Sequence, residues 1–292
     1  MSSNGPGSSS QGLLWSANPD QPGELWVSHG WVLSWTLDSE QVVAHPLSGG
    51  ADIVLDTSFL NSRLGAPRAA GVTPSGFVVS GLRLEKNGRR RYGALLFFDR
   101  KGKLVRKARL KVAMVLSLDT LPDGRLVGWW EGLDTDGQGG YEAVLACSIF
   151  SKDLEPVHDI VPRRPLKAGS SIAGIENQLL IHVSPAAIEV FDPFHRALLR
   201  FSPDGTPRER IVVPAPTGNV RVHGWAPGEE SVWLVAVDGT GEAARLLDVR
   251  WADGTVLEER PFPTDQWLYP GPDGPLVLVN RSELRRLDAA DR

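Results

Sequence analysis

Asp119, His223 and Tyr269 are the side chains in this sequence best suited to acid–base chemistry. They are a carboxylate, an imidazole that titrates near neutral pH and a phenol that can donate a hydrogen bond. The six histidines, at 29, 45, 158, 182, 195 and 223, match no His-Glu-x-x-His or other paired-ligand spacing. Asp134-Thr135-Asp136-Gly137 faintly resembles a calcium loop, but no bidentate Glu stands at the twelfth position. That segment, Glu131 to Gly140, is expected to be a hairpin tip, and no metal is expected. Cys147 is the sole cysteine and sits in the apolar run Ala143 to Phe150, so it is expected to be a small buried hydrophobe. No phosphate-binding loop, dinucleotide fingerprint or nucleophile elbow is present, and no cofactor is expected.

Aromatic residues offer a different kind of site. Trp129 and Trp130 are adjacent, and neighbours on a strand face opposite ways. One is expected between sheets and the other, Trp130, toward a partner. Ser184 to Arg196 reads as an apolar excursion carrying Phe191, Pro193, Phe194 and His195, suited to a lid or a docking patch. Trp130, Phe191 and Phe194 are therefore the candidate protein-binding residues.

Bulk numbers bound the partners. The 292 residues carry a net charge of −4, with 31 basic and 35 acidic side chains. Arg89, Arg90 and Arg91, near Lys86, form the only tight basic run and read as a hairpin tip at Asn87-Gly88. No nucleic-acid partner is expected from so short a run. No stretch approaches 18 apolar residues, so no membrane span is expected. Residues 1–11 are small or polar and lack the charged and apolar regions of a leader. They read as a disordered tail or linker, with 12–292 as one domain. A cytoplasmic location is expected, or an exported, periplasmic one if that tail stands in place of a leader.

The elements that must position these residues are strands. Gly (31) and Pro (22) interrupt nearly every helical window. Short apolar runs alternate with two series of turns. The first includes His29-Gly30, Pro74-Ser75-Gly76, Pro122-Asp123-Gly124, Glu176-Asn177, Pro227-Gly228 and Pro272-Asp273-Gly274, spaced 46, 48, 53, 51 and 46 residues apart. The second falls at Gly50, Gly102, Asp153, Gly205 and Gly254, spaced 52, 51, 52 and 49. A period near 50 is that of a four-stranded antiparallel blade, and the length divides into six. The strands read as Asn219–Trp225, Ser231–Val237, Ala244–Trp251 and Thr255–Pro261 in the fifth repeat. In the second they read as Ala69–Thr73, Phe77–Leu82, Tyr92–Phe98 and Leu104–Leu110. The sixth repeat has three, Trp267–Pro270, Leu276–Asn280 and Glu283–Leu287, so Gly12–Ser16 is expected to complete it as the outer strand.

These Pro-Asp-Gly turn-strand units and Asp-Gly hairpins make residues 12–288 resemble the six-bladed β-propellers of the NHL and TolB-like kind. The resemblance implies an all-β ring of blades whose first strands line a central channel, with loops over one face building the site. It implies no single activity. The Ser-x-Asp-x-Gly-x-Thr-Trp box of sialidase-like propellers is absent. Pro22-Gly23-Glu24-Leu25-Trp26 departs from the Glu-Gly-Pro-x-Trp unit of gluconolactonase-like propellers, so that metal site does not carry over. Aligning first strands on their turns sets Asp119 level with Leu25, Gly71, Ala173, Gly224 and Tyr269. Asp119 then becomes an axial carboxylate. The expected function is a non-catalytic binding or scaffolding module for a protein partner. The alternative is a lactonase-like hydrolase or lyase using Asp119, His223 and Tyr269 at the channel mouth.

Overall fold

The computed structural model describes residues 13–287 apart from 17–22, 37–38, 61–66, 85–90, 111, 113, 136–140, 167–177, 214–220 and 281. The expected tail at 1–11, Lys86 to Arg90, Asp136 to Gly140 and Ala173 lie outside the described residues.

Every described regular element is a strand, and the strands form six four-stranded antiparallel sheets. Blade 1 comprises β2 (Gly23–Ser28), β3 (Trp31–Thr36), β4 (Gln41–Pro46) and β5 (Ile53–Asp56). Blade 2 comprises β6 (Ala69–Thr73), β7 (Gly76–Leu84), β8 (Arg91–Asp99) and β9 (Leu104–Arg109). Blade 3 comprises β10 (Met114–Thr120), β11 (Leu126–Thr135), β12 (Tyr141–Phe150) and β13 (Pro156–Pro165). Blade 4 comprises β14 (Ile181–Val183), β15 (Ile188–Asp192), β16 (Ala197–Phe201) and β17 (Pro207–Val212). Blade 5 comprises β18 (Arg221–Pro227), β19 (Ser231–Val237), β20 (Ala244–Arg250) and β21 (Val256–Phe262). Blade 6 comprises β22 (Gln266–Tyr269), β23 (Leu276–Val279) and β24 (Glu283–Arg286), with β1 (Leu13–Ser16) as its fourth strand. The chain is a six-bladed β-propeller. Strand β1 lies antiparallel to β24, with Leu13 opposite Arg285 and Ser16 opposite Glu283.

Alternation of side chains places one face of each sheet against the next blade. Six hydrophobic clusters result, one at each junction. Leu33 and Trp35 of blade 1 pack with Phe77 and Phe98 of blade 2. The ring closes where Leu14 and Trp15 join Leu276, Leu278 and Leu284 of blade 6 and Val32 of blade 1. Near the axis the inner strands leave little room. A Cβ on Gly224 would lie 2.3 Å from the Leu268 carbonyl oxygen, so only glycine fits where β18 meets β22.

Blade 4 departs from the sequence reading. Its inner strand is β14, which enters β15 through the first hairpin turn of the blade, while Ala173 and Glu176-Asn177 lie outside the described residues. That turn is Ser184 to Ala187, where Ser184 N bonds Ala187 O. In the chain, residues 166–180 separate β13 from β14, so this turn comes later than the repeat spacing sets it. The Ser184–Arg196 excursion is therefore not a lid. It is a hairpin turn, strand β15 and the next turn.

Candidate functional site

The inner strands enclose a central cavity of about 440 Å³. Its wall includes Glu24 and Trp26 of β2, Arg68, Leu118 of β10, His223 and Trp225 of β18, and Trp267 and Tyr269 of β22. Burial, reinforced by Arg221, lowers the pKa of His223, so its ring is neutral at pH 7. His223 Nδ1 and Arg68 Nε are buried without a hydrogen-bond partner among the described residues. Two polar atoms unpaired in residues of one cavity wall are what a ligand-binding site offers.

Asp119 does not line that cavity. Alignment on turn glycines set it level with Leu25 and Gly71, yet it sits level with Ser28 and Val72. The reason is turn length. Blade 1 turns through His29-Gly30 alone, whereas blade 3 needs residues 121–125, so a common glycine places the two strands out of step. Asp119 Oδ1 accepts from the Ser28 hydroxyl at 3.1 Å, lies 3.0 Å from His29 Nε2 and accepts the Thr120 N–H at 2.9 Å. Asp119 Oδ2 accepts the Val183 N–H at 2.8 Å. Ser28 Oγ in turn accepts the Val72 N–H, and the Thr120 hydroxyl donates to the Val72 carbonyl at 2.6 Å. Four of the six inner strands are thereby tied together at one end of the channel.

His29 was not singled out by its spacing, although its setting carried a signal. It has a φ of 46° and Gly30 a φ of 77°, the two positive values of a tight type I′ hairpin. A non-glycine residue held there is uncommon and accompanies functional or linking sites. The hydrogen bond to Asp119 holds the His29 pKa above the usual imidazole value, against a smaller opposing pull from burial. His182, on β14, is pushed below the usual value by burial and by nearby His29, against the pull of Asp119. Opposite His182 in register stands Glu189 of β15, which pairs with Arg200 of β16 at 3.2 Å. Burial pushes the Glu189 carboxyl up to about 7 despite Arg200, and its Oε2 has no partner among the described residues. Arg200 also donates to the carbonyls of Glu229 and Gly228 and lies 5.0 Å over the Trp251 ring. A polar row thus runs from the channel end through blade 4 to blade 5.

Two of the three candidate docking aromatics are corrected by burial. Trp130 is 3% exposed, packs between blades 2 and 3 and donates to the Ser148 hydroxyl at 2.7 Å. Trp129, on the opposite strand face, fills the junction of blades 3 and 4. Both faces of β11 are covered by neighbouring blades, so neither indole meets solvent. Phe191 is 1% exposed between blades 4 and 5, because it belongs to β15 rather than to a loop. Phe194 alone is on the surface, at 39% exposure, in a turn capped by Asp192, whose carboxylate accepts the N–H groups of Phe194 and His195. Cys147 is fully buried, and burial drives its thiol pKa well up.

No family model matches the chain, and no curated protein matches it. Among solved structures, apo AztD from Citrobacter koseri aligns at 13% identity and TM-score 0.40, over 82% of this chain and 74% of its own. The PQQ-bound aldose sugar dehydrogenase from Streptomyces coelicolor aligns at 12% identity and TM-score 0.48, over 94% and 95%. The tricorn protease aligns at 15% identity and TM-score 0.44, over 91% of this chain and 24% of its own. The assignment of the fold here stands on strand pairing.

Proposed function

We propose that this chain is a non-catalytic binding propeller whose central channel holds a small polar ligand. The observation that carries the reading is the cavity of about 440 Å³ with His223 Nδ1 buried and unpartnered in its wall. That volume is within the range of ordinary small-molecule sites. Neutral His223 can donate or accept, Arg68 and Glu24 offer both signs of charge, and the indoles of Trp26 and Trp267 and the phenol of Tyr269 offer flat apolar faces, Trp225 being buried between blades. Such a wall suits a compact polar molecule with one apolar face. Membership of the NHL and TolB-like propellers rests on the turn units quoted above, and a protein-scaffolding role rests on the surface rather than on Trp130 or Phe191.

The hydrolase alternative needs Asp119 to act with His223 and Tyr269. Both oxygens of Asp119 are already committed to donors from blades 1, 3 and 4, and the residue lies outside the cavity wall. Thermal-shift screening of a panel of small polar compounds tests the reading. A compound that raises the melting temperature of the wild type and not of His223→Leu supports it. Hydrolysis of lactones or esters by the purified protein, abolished in Asp119→Asn, would replace it with the enzymatic one.

A further inference from the structure

Charge in this protein is sorted by blade. Residues 67–111, which span blade 2, carry thirteen Lys and Arg against two Asp and Glu. Residues 1–62, which include blade 1, carry no basic residue against six acidic ones. Residues 113–165, which span blade 3, carry four basic against nine acidic. The overall −4 therefore hides one strongly cationic blade between two anionic ones.

Arg68 lines the central cavity and Arg100 reaches back to the Thr73 and Pro74 carbonyls, while other described cations of blade 2 gather on its outer part. Arg100, Lys101 and Lys103 are exposed in and beside the β8–β9 turn, and Arg106, Lys107 and Arg109 are exposed on β9. Three of them are held over aromatic rings rather than left to wander. Arg106 lies 5.3 Å from the Phe97 ring centroid, Lys107 Nζ 4.3 Å from Phe59, and Arg109 4.6 Å from Tyr92. Such contacts pre-order long side chains, and Arg106 is steadied further by donating from both terminal nitrogens to the Lys152 carbonyl, at 3.5 and 3.4 Å. The nearby carboxylates are already engaged. Asp99 accepts the N–H groups of Lys101 and Lys103, and Asp56 is held by Ser58, with a lesser influence from Lys107. Among the described residues, Arg106 and Lys107 form no ion pair.

Strand β9 is also the terminal strand of its sheet, in the order β6-β7-β8-β9. Its far edge presents backbone N–H and C=O groups to whatever comes next. Val105 stands 61% exposed beside the cations, an apolar contact in mid-strand. The cations fall on both faces, since Arg106 and Lys107 are adjacent and point opposite ways.

We propose that the β9 edge docks an acidic segment of a partner protein in extended conformation, added as a fifth strand to blade 2. Main-chain hydrogen bonds would give the pairing, and carboxylates on both faces of the added strand would meet Arg106 on one side and Lys107 on the other. A long nucleic acid or a flat anionic membrane fits worse. Either would run past the cationic blade onto its anionic neighbours, and neither uses a strand edge.

Fluorescence anisotropy with labelled ten-residue peptides tests this on the full chain. An acetylated Glu-Val peptide of repeating Glu-Glu-Val-Val, which sets carboxylates on both faces of a strand, is expected to bind at 50 mM salt and to weaken as salt rises. The double variant Arg106→Glu/Lys107→Glu is expected to lose at least tenfold in affinity with an unchanged melting temperature, and Arg106→Ala/Lys107→Ala to lose less. A Glu-Pro peptide with Pro in place of every Val, equal in charge and unable to pair as a strand, is expected to bind at least tenfold more weakly. The proposal fails if the Glu-Val peptide does not bind, binds the variants equally well, or is matched by the Glu-Pro peptide. It also fails if a ten-nucleotide oligo-dT or phosphatidylserine vesicles bind the same surface more tightly.

Discussion

Asp119 Oδ1 lies 3.0 Å from His29 Nε2, joining blade 3 to blade 1, while the other oxygen of the same carboxylate holds a backbone N–H of blade 4. One side chain thereby replaces direct contact between strands that the channel keeps apart. Truncating it in Asp119→Ala leaves the Ser28 hydroxyl and the Val183 N–H buried and unpaired. At about 1–3 kcal/mol for each orphaned group, the loss of stability is expected to be about 3 kcal/mol, measured as a shift in urea midpoint at unchanged slope. Asp119→Asn retains one acceptor and is expected to lose less. A midpoint unchanged in Asp119→Ala would show that the four-strand tie carries no weight.

His29 makes that tie depend on pH. Its pKa in the folded chain is above the ordinary value of 6.5 because Asp119 stabilises the protonated ring. Its contribution is therefore complete below about pH 6.5 and is lost as pH rises through the folded value. The stability gap between wild type and His29→Gln is expected to be larger at pH 5.5 than at pH 8.5. Since His29 is about one-third exposed, solvent screening keeps the difference to about 0.5–1 kcal/mol. A gap that is flat or grows with pH would contradict the pairing.

Glu189 shows the same sign for a different reason. Burial raises its folded pKa from 4.5 to about 7, so the folded state holds a proton that the unfolded chain gives up. Wild-type stability should then fall relative to Glu189→Gln as pH rises from about 5 to 7, by about 1.4 kcal/mol for each tenfold by which folding tightens the hold on that proton. Parallel melts of the two proteins across that range read the difference directly. Parallel curves would mean that Glu189 is ionised throughout and that Arg200 outweighs burial.

The ring of blades was legible because turn chemistry repeats. Gly124, Gly205 and Gly254 all have positive φ, so the Asp-Gly turns recur for a conformational reason and can be counted. Strand Ser231–Val237 and strand Ala69–Thr73 match their sequence-derived bounds. In blade 4 the repeat spacing does not locate the first hairpin turn, since fifteen residues, 166–180, separate β13 from β14, and Phe191 accordingly falls on β15 rather than in a loop. The site was less legible still. Asp119 could be picked as a polar exception, but its partners Ser28, His29 and Val183 lie 91, 90 and 64 positions away and meet only in the folded ring. The basic blade was written in the sequence throughout. It emerges only when charge is counted within blade limits, since the total cancels it.

Closure of the ring gives the last expectation. Strand β1 supplies the outer strand of blade 6, and its Leu14 and Trp15 pack with Leu276, Leu278 and Leu284. Removing residues 1–16 strips β24 of its partner, exposes those leucines and opens a sheet edge to other chains. At about 1.5–3 kcal/mol for each large apolar side chain fully withdrawn, a loss of about 3 kcal/mol is expected for these half-buried residues, with a greater tendency to aggregate. The register allows a decisive control. Leu13 faces Arg285 and β1 runs antiparallel to β24, so the start of β1 lies beside the end of β24. A permuted chain that begins at Gly23, runs to Leu287 and continues through a short Gly-Ser linker into residues 13–16 rebuilds the same pairing as a hairpin. Its melting temperature is expected to return to within a few degrees of the full chain, as followed by circular dichroism. If the truncated chain is already as stable as the intact one, β1 is not what closes the ring. If the permuted chain stays as unstable as the truncated one, restoring the pairing of β1 with β24 is not what stabilises the ring.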